Sequence, residues 1–198
     1  GALPSANFLA VSGGGDDGAF GAGLLVGWTQ TGDRPTFMLV TGVSTGALIA
    51  PFAFLGPAYD ETLRAVYTQV TPRDIATPRS LLAALTSDAI ADNQPLFSLI
   101  SKHFPPELLA RIAQEYRKGR LLLIGTTNLD ARRPVVWNMG AIAEAAANNP
   151  QAVDLFRRIL LASAVMPGEF PPVMFDVEVD GRPYQEMHVD GGAMRQLF

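Results

Sequence analysis

The chain has 198 residues, 48% of them hydrophobic, which is enough to bury one sizeable core and too few for two full domains, so 1–198 reads as a single domain. A formal net charge of −4, with no block of lysines or arginines, excludes the electrostatic footprint of a nucleic-acid binder. The absence of cysteine removes disulfides, thiolate nucleophiles and cysteine-ligated zinc, and leaves His103 and His188 as the only imidazoles.

The first apolar run, "NFLAVS" (Asn7 to Ser12), is short and bounded by turn residues, which predicts a strand buried on both faces. It leads into "SGGGDDGAFGAG", Ser12 to Gly23. Consecutive glycines between a strand and a helix let several backbone N–H groups point into one concavity with no Cβ in the way, a nest suited to a phosphate or an oxyanion. Gly13, Gly15 and Gly18 also satisfy G-x-G-x-x-G, and Asp33 lies at about the spacing of a ribose contact. Against a dinucleotide, Asp33 comes before the second strand and not at its end, and Asp16 and Asp17 would repel a pyrophosphate. The helix that follows, "GAFGAGLLVGWTQTG", has small residues that allow close approach to a sheet and ends at Gly32.

A second buried strand is expected at "TFMLVT" (Thr36 to Thr41), and directly after it comes "GVSTG". This is the G-x-S-x-G pattern of a nucleophile elbow, in which a strand ends, the chain turns sharply and the serine stands at the start of a helix; Gly42 and Gly46 relieve the crowding there. Ser44 could equally be an ordinary helix N-cap. The next helix carries Phe52, Phe54 and Leu55, which either pack in the core or line an apolar groove beside Ser44.

The middle, Tyr59 to Lys118, is helical in character with breaks at Pro72, Pro78, Pro95 and Pro105-Pro106, and reads as a cap beside the sheet with His103 on a helix surface. "RLLLIGTTN" and "RPVVWNMG" supply two more strands around the polar loop Thr126 to Arg133, and "AIAEAAANNPQ" is an alanine-rich helix ending at Asn-Asn-Pro. "PGEFPPVMF" poses the groove-or-core choice again for Met174 and Phe175. Asp176 to Asp190 reads as a hairpin turning at Asp180-Gly181, and closes on "HVDGGA", with Asp190 followed by Gly191 and Gly192. Alternating strands and helices predict an α/β domain, a three-layer α/β/α sandwich with a largely parallel sheet. In such a sheet functional loops gather at the carboxyl ends of strands, and all three motifs occupy such ends.

A Ser-Asp-His triad needs a histidine after Asp190, and the chain has none. His188, two residues before Asp190, reads first as a structural histidine. A dyad needs neither imidazole: the Asp190 carboxylate would accept the Ser44 proton directly while the glycine-loop amides hold the developing oxyanion.

With these motifs in this order, the sequence resembles the patatin-like phospholipases, serine lipid acyl hydrolases that work by a Ser/Asp dyad. The resemblance rests on "GGGDDG", "GVSTG" and "DGG", is supported by "GTTNLDARRPVVWNMG" and "ASAVMPGEFPPV", and extends from Gly13 to Gly192. It implies that Ser44 is the nucleophile, Asp190 the general base and Gly13, Gly14 and Gly15 the oxyanion-hole backbone, with Gly18, Gly42, Gly46, Gly191 and Gly192 as supporting positions. It further implies no metal or other cofactor, a lipid or ester substrate, and peripheral membrane contact. The family commonly carries Lys or Arg just before the last glycine of its loop; here Asp17 stands there, which leaves neutral lipids and simple esters open as substrates. An acyltransferase using the same acyl-enzyme, or a lipid-binding module without turnover, fits the same residues. No apolar run is long enough for a bilayer. The start at Gly1 and the end eight residues after Asp190 suggest a domain trimmed at both ends.

Overall fold

The computed structural model describes residues 6–68 and 93–198. In chain order the strands and α-helices are β1 (Asn7–Val11), α1 (Gly18–Thr31), β2 (Phe37–Val43), α2 (Thr45–Leu55), α3 (Asp60–Thr68), α4 (Gln94–His103), α5 (Pro106–Arg117), β3 (Leu121–Asn128), β4 (Arg133–Asn138), α6 (Met139–Ala145), α7 (Pro150–Ala164), β5 (Val173–Val179) and β6 (Arg182–Asp190). The expected breaks at Pro72 and Pro78 lie outside the described residues. Pro95 and Pro106 sit in the first turns of α4 and α5, where a missing N–H costs nothing, so these prolines start helices. Gly32 ends α1 in the left-handed conformation, φ 81°, and its N–H bonds to the Thr29 carbonyl. Asp180 and Gly181, at φ 50° and 74°, make the two-residue turn between β5 and β6.

The sheet is mixed, which corrects the largely parallel expectation. β1 pairs with β2 and β2 with β3 in parallel, whereas β3–β4, β3–β6 and β5–β6 are antiparallel. β3 has three neighbours: β2 along Leu121 to Gly125, β6 along Thr126 to Asn128, and β4 along Leu123 to Asn128. A strand has two edges. β4 takes one, so β2 and β6 share the other end to end, β2 stopping at Val43 opposite Gly125 and β6 stopping at Asp190 opposite Thr126. The two strands therefore run toward each other, and their carboxyl ends meet.

Helical packing fills the face that carries Val40, Leu122 and Ile124, all completely buried. α2 lies at the centre and is buried from Thr45 to Phe54, with Phe52 and Phe54 in the core and Leu55 at its margin. Phe52 meets Phe104, which meets Phe156 of α7, at ring-centroid separations of 5.2 and 6.4 Å. Leu96 and Ile100 of α4 and Leu108, Leu109 and Ile112 of α5 belong to the same core. The described part of the middle region is thus a wall of the domain and not a cap. Two buried guanidinium groups satisfy carbonyls at the last turn of α2: Arg34 Nη2 donates to Ala53 and Arg120 Nη2 to Phe54, at 3.3 and 2.5 Å, which suits the negative end of the helix.

β1 corrects the expectation of a strand buried on both faces. It is an edge strand, and Phe8 is 68% exposed. Phe8, Leu121 and Val136 share the second face of the sheet, where the chain's end also lies: Thr41 Oγ1 donates to the Phe198 carbonyl at 2.8 Å, and the Phe198 ring covers Gly125.

Candidate active site

Ser44 follows the last residue of β2 and precedes the first of α2. Its backbone, φ 58° and ψ −131°, is a conformation that residues with a side chain rarely adopt. The turn closes only because its neighbours are glycine. A methyl group on Gly42 would lie 2.5 Å from the Gly46 carbonyl oxygen and 2.8 Å from Ala50 Cβ, and one on Gly46 would strike the carbonyls of Val11, the last residue of β1, and of Ser12. Ser44 occupies the N-cap position of α2 yet makes no capping hydrogen bond. Its hydroxyl donates instead to Asp190 Oδ2.

Asp190 arrives from the other side of the junction. Its N–H donates to the Val165 carbonyl at 2.9 Å, and its Oδ1 accepts the Gly192 N–H at 2.6 Å, which leaves Oδ2 for Ser44. Gly191 passes so close to β3 that a methyl group there would lie 2.5 Å from the Gly125 carbonyl oxygen and 2.9 Å from Val43 Cγ1. Burial, with 5% of the residue exposed, raises the Asp190 carboxyl above the ordinary range; the Ser44 and Gly192 hydrogen bonds pull the other way. A carboxylate in that position is a stronger base than one in water.

The glycine loop closes the third side. A methyl group on Gly13 would lie 2.5 Å from Ser44 Cβ and 3.1 Å from Ser44 Oγ, so the loop backbone rests on the serine. Gly14 and Gly15 have φ of 149° and 55°, and the Gly15 carbonyl accepts from Thr45 Oγ1 at 3.1 Å, tying the loop to the start of α2. Gly18 is in contact with the Thr45 side chain, which fixes the start of α1 against the start of α2. Gly13, Gly14, Gly15, Ser44, Asp190 and Gly192 together line a pocket of about 610 Å³. Gly18, Gly42, Gly46 and Gly191 are close-approach points behind it. Met166, Pro167 and Glu169 also line it; Glu169 lies within "PGEFPPVMF", where the sequence pointed to Met174 and Phe175 instead.

The other sequence candidates lie apart from this cluster. His188 is completely buried, its Nδ1 2.9 Å from Thr126 Oγ1 and its Nε2 3.3 Å from Glu186 Oε2, with the rings of Trp137 and Phe175 beside it. Burial lowers its pKa, the Glu186 and Asp130 carboxylates pull the other way, and the residue does not line the pocket. His103 is half-buried at the end of α4 and not a surface residue; among the described residues its Nε2 has no hydrogen-bond partner, and it does not line the pocket. Asp33 sits before β2 begins, at the end of the sheet opposite the glycine loop, and accepts from Thr31 Oγ1, which argues against the ribose contact. Phe175 belongs to the core while Met174 is 37% exposed.

Ser163, to which no role was assigned from sequence, is also here: the Ser44 N–H donates to its Oγ at 3.0 Å, and that hydroxyl donates to the Gly125 carbonyl at 2.7 Å.

A family model described as patatin-like phospholipase matches residues 9–197. No curated protein matches the chain. Among solved structures, VipD from Legionella pneumophila is similar at 15% identity and a TM-score of 0.47, over 98% of this chain and 47% of that one, so the chain spans about half the length of VipD.

Proposed function

Because the chain belongs to the patatin-like phospholipase family, a family of lipid acyl hydrolases, we propose that it hydrolyses lipid carboxyl esters through an acyl-Ser44 intermediate, with Asp190 as the base. The observation that carries this reading is the hydrogen bond from Ser44 Oγ to a buried carboxylate, made by a serine that forgoes the helix-capping bond its position offers.

In the first half-reaction Asp190 Oδ2 takes the hydroxyl proton as Ser44 Oγ attacks the ester carbonyl carbon. The carbonyl oxygen becomes an oxyanion facing the backbone N–H groups of Gly13, Gly14 and Gly15. The C–O bond to the alcohol breaks, the alcohol leaves with the proton from Asp190, and the acyl group stays on Ser44. A water then gives a proton to Asp190 and attacks the acyl carbon, and the fatty acid leaves as Ser44 regains its proton.

The lining of the pocket supports uncharged or zwitterionic substrates. Its charged side chains among the described residues are Glu169 and Asp190, and no lysine or arginine lines it. Met166, exposed at 40% on its wall, supports contact with a lipid surface. The direct test is a fluorophosphonate probe followed by peptide mass spectrometry, run with and without a chelator. An adduct on Ser44, formed at the same rate in both, is expected; folded protein that takes no adduct would overturn the reading.

A further inference from the structure

At the junction where β2 and β6 meet, the β2–β3 ladder ends with the pair Val43 and Gly125. One residue on, the chain turns into the elbow at φ 58°, and the Ser44 N–H leaves the line of the strand. That N–H and the Gly125 carbonyl are adjoining backbone groups at the end of the ladder, both buried. The Ser163 hydroxyl lies between them, accepting from one at 3.0 Å and donating to the other at 2.7 Å, and so stands in for the next rung. Ser163 is 0% exposed and is the penultimate residue of α7.

Few side chains can do this. The group must be small enough for a fully buried helix end and must accept and donate at once, which a hydroxyl does and a methyl does not. Two residues further, the Val165 carbonyl receives the Asp190 N–H at 2.9 Å. The segment 163–165 thus holds by its own hydrogen bonds the backbone of both residues that the reaction is proposed to use. It also occupies the Ser44 N–H, which is therefore not aimed at the pocket.

From this geometry we infer that Ser163 is a positioning residue: its hydroxyl locks the Ser44 backbone in the strained elbow, and through it the line from Ser44 Oγ to Asp190 Oδ2. The inference rests on the function proposed above. Removing the hydroxyl leaves a buried N–H and a buried C=O each without this partner, and the elbow, no longer pinned, can relax away from the carboxylate. Misplacement of a reacting group by about 1 Å costs on the order of 10²-fold in rate.

The test measures kcat and KM on a chromogenic acyl ester, and the rate of fluorophosphonate labelling at Ser44, for the wild type, Ser163→Ala and Ser163→Thr. Thr keeps the Oγ; folding is checked by circular dichroism. Expected for Ser163→Ala is a fall of about 10²-fold in kcat and in labelling rate with KM nearly unchanged, and recovery of most of it in Ser163→Thr. If Ser163→Ala does not fold, Ser163→Cys, of similar size but a weaker donor and acceptor, takes its place and should fall between the wild type and the expected Ala value. An undiminished kcat in the folded variant, or an equal loss in Ser163→Ala and Ser163→Thr, would overturn the positioning role and leave Ser44 as the proposed nucleophile. A wild type that takes no label at Ser44 would instead overturn the function on which the inference rests.

Discussion

In the parallel half of the sheet, β1, β2 and β3, each functional feature is a local event. The glycine loop follows β1, the elbow follows β2, and the residues that shape each turn are its immediate neighbours, with Gly42 and Gly46 closing around Ser44. In the antiparallel half, β3, β6 and β5, the neighbours Gly191 and Gly192 orient the Asp190 carboxylate but do not account for where in the fold it arrives. It reaches Ser44, 146 residues away, because β6 approaches along the same edge of β3 that β2 has just vacated. The proposed nucleophile is thus shaped chiefly by its own turn, whereas the proposed base is delivered by strand pairing. The site exists only where the two halves abut.

The largest effect should come from cutting across that seam. Ser44→Ala is expected to lower kcat on an acyl ester by about 10⁴-fold or more, and the double variant Ser44→Ala/Asp190→Asn should be little worse, since residues acting as a unit are not additive. Steady-state turnover of the single and double variants checks this. Losses that multiply would mean that the halves contribute independently.

Within the parallel half, Gly14→Ala should reduce kcat by about 10²–10³-fold, the scale of losing one oxyanion donor. Gly14 has φ 149°, and a methyl group would sit 3.1 Å from Asp17 Cβ, so the loop must shift while the core is untouched. Turnover beside thermal melting separates the two; unaltered kcat would remove the loop from the chemistry.

A smaller effect concerns stability in the antiparallel half. The Asp190 carboxyl is raised by burial, so its charged form is disfavoured in the folded state. A raised pKa contributes stability below the unfolded value and loses it as pH rises through the folded one; at neutral pH the buried charge is therefore a net burden. Asp190→Asn should melt higher than the wild type at pH 7, and the gap should close as pH falls toward about 4, the ordinary aspartate range. Melting by circular dichroism across this range reads it, and an Asn variant less stable at neutral pH would contradict the burden.

The smallest change is expected at the pocket wall. Glu169→Lys should raise the rate on an anionic ester relative to a neutral one by about fivefold at most, the worth of an exposed ion pair. Relative kcat/KM for the two esters is the readout, and an unchanged ratio would remove Glu169 from substrate choice.

The same division explains what was legible in the sequence. Gly32, the Asp180-Gly181 turn and the elbow were readable because each is set by residues within a few positions of the feature. The direction of β6 was not, and with it went the expectation of a largely parallel sheet, since a hairpin of either orientation has the same alternation. The exposure of β1 was hidden because an apolar run does not reveal whether its strand lies at an edge. The helical middle looked like a cap because prolines punctuate it, although Pro95 and Pro106 only start helices that bury Ile100 and Ile112. Ser163 lies within "ASAVMPGEFPPV", which carried the resemblance as a stretch but gave this serine no role, since its two partners are 119 and 38 residues away.

The central claim is that the proton of Ser44 passes to the carboxylate of Asp190 and not to an imidazole. The most direct measurement is acyl-ester turnover of Asp190→Asn beside His188→Gln, each confirmed folded. Asn keeps the shape and the Gly192 contact but is a poor proton acceptor, so Asp190→Asn should fall nearly to the level of Ser44→Ala. His188→Gln should retain most of the wild-type rate. An active Asp190→Asn with an inactive His188→Gln would contradict the dyad and make the buried imidazole the base.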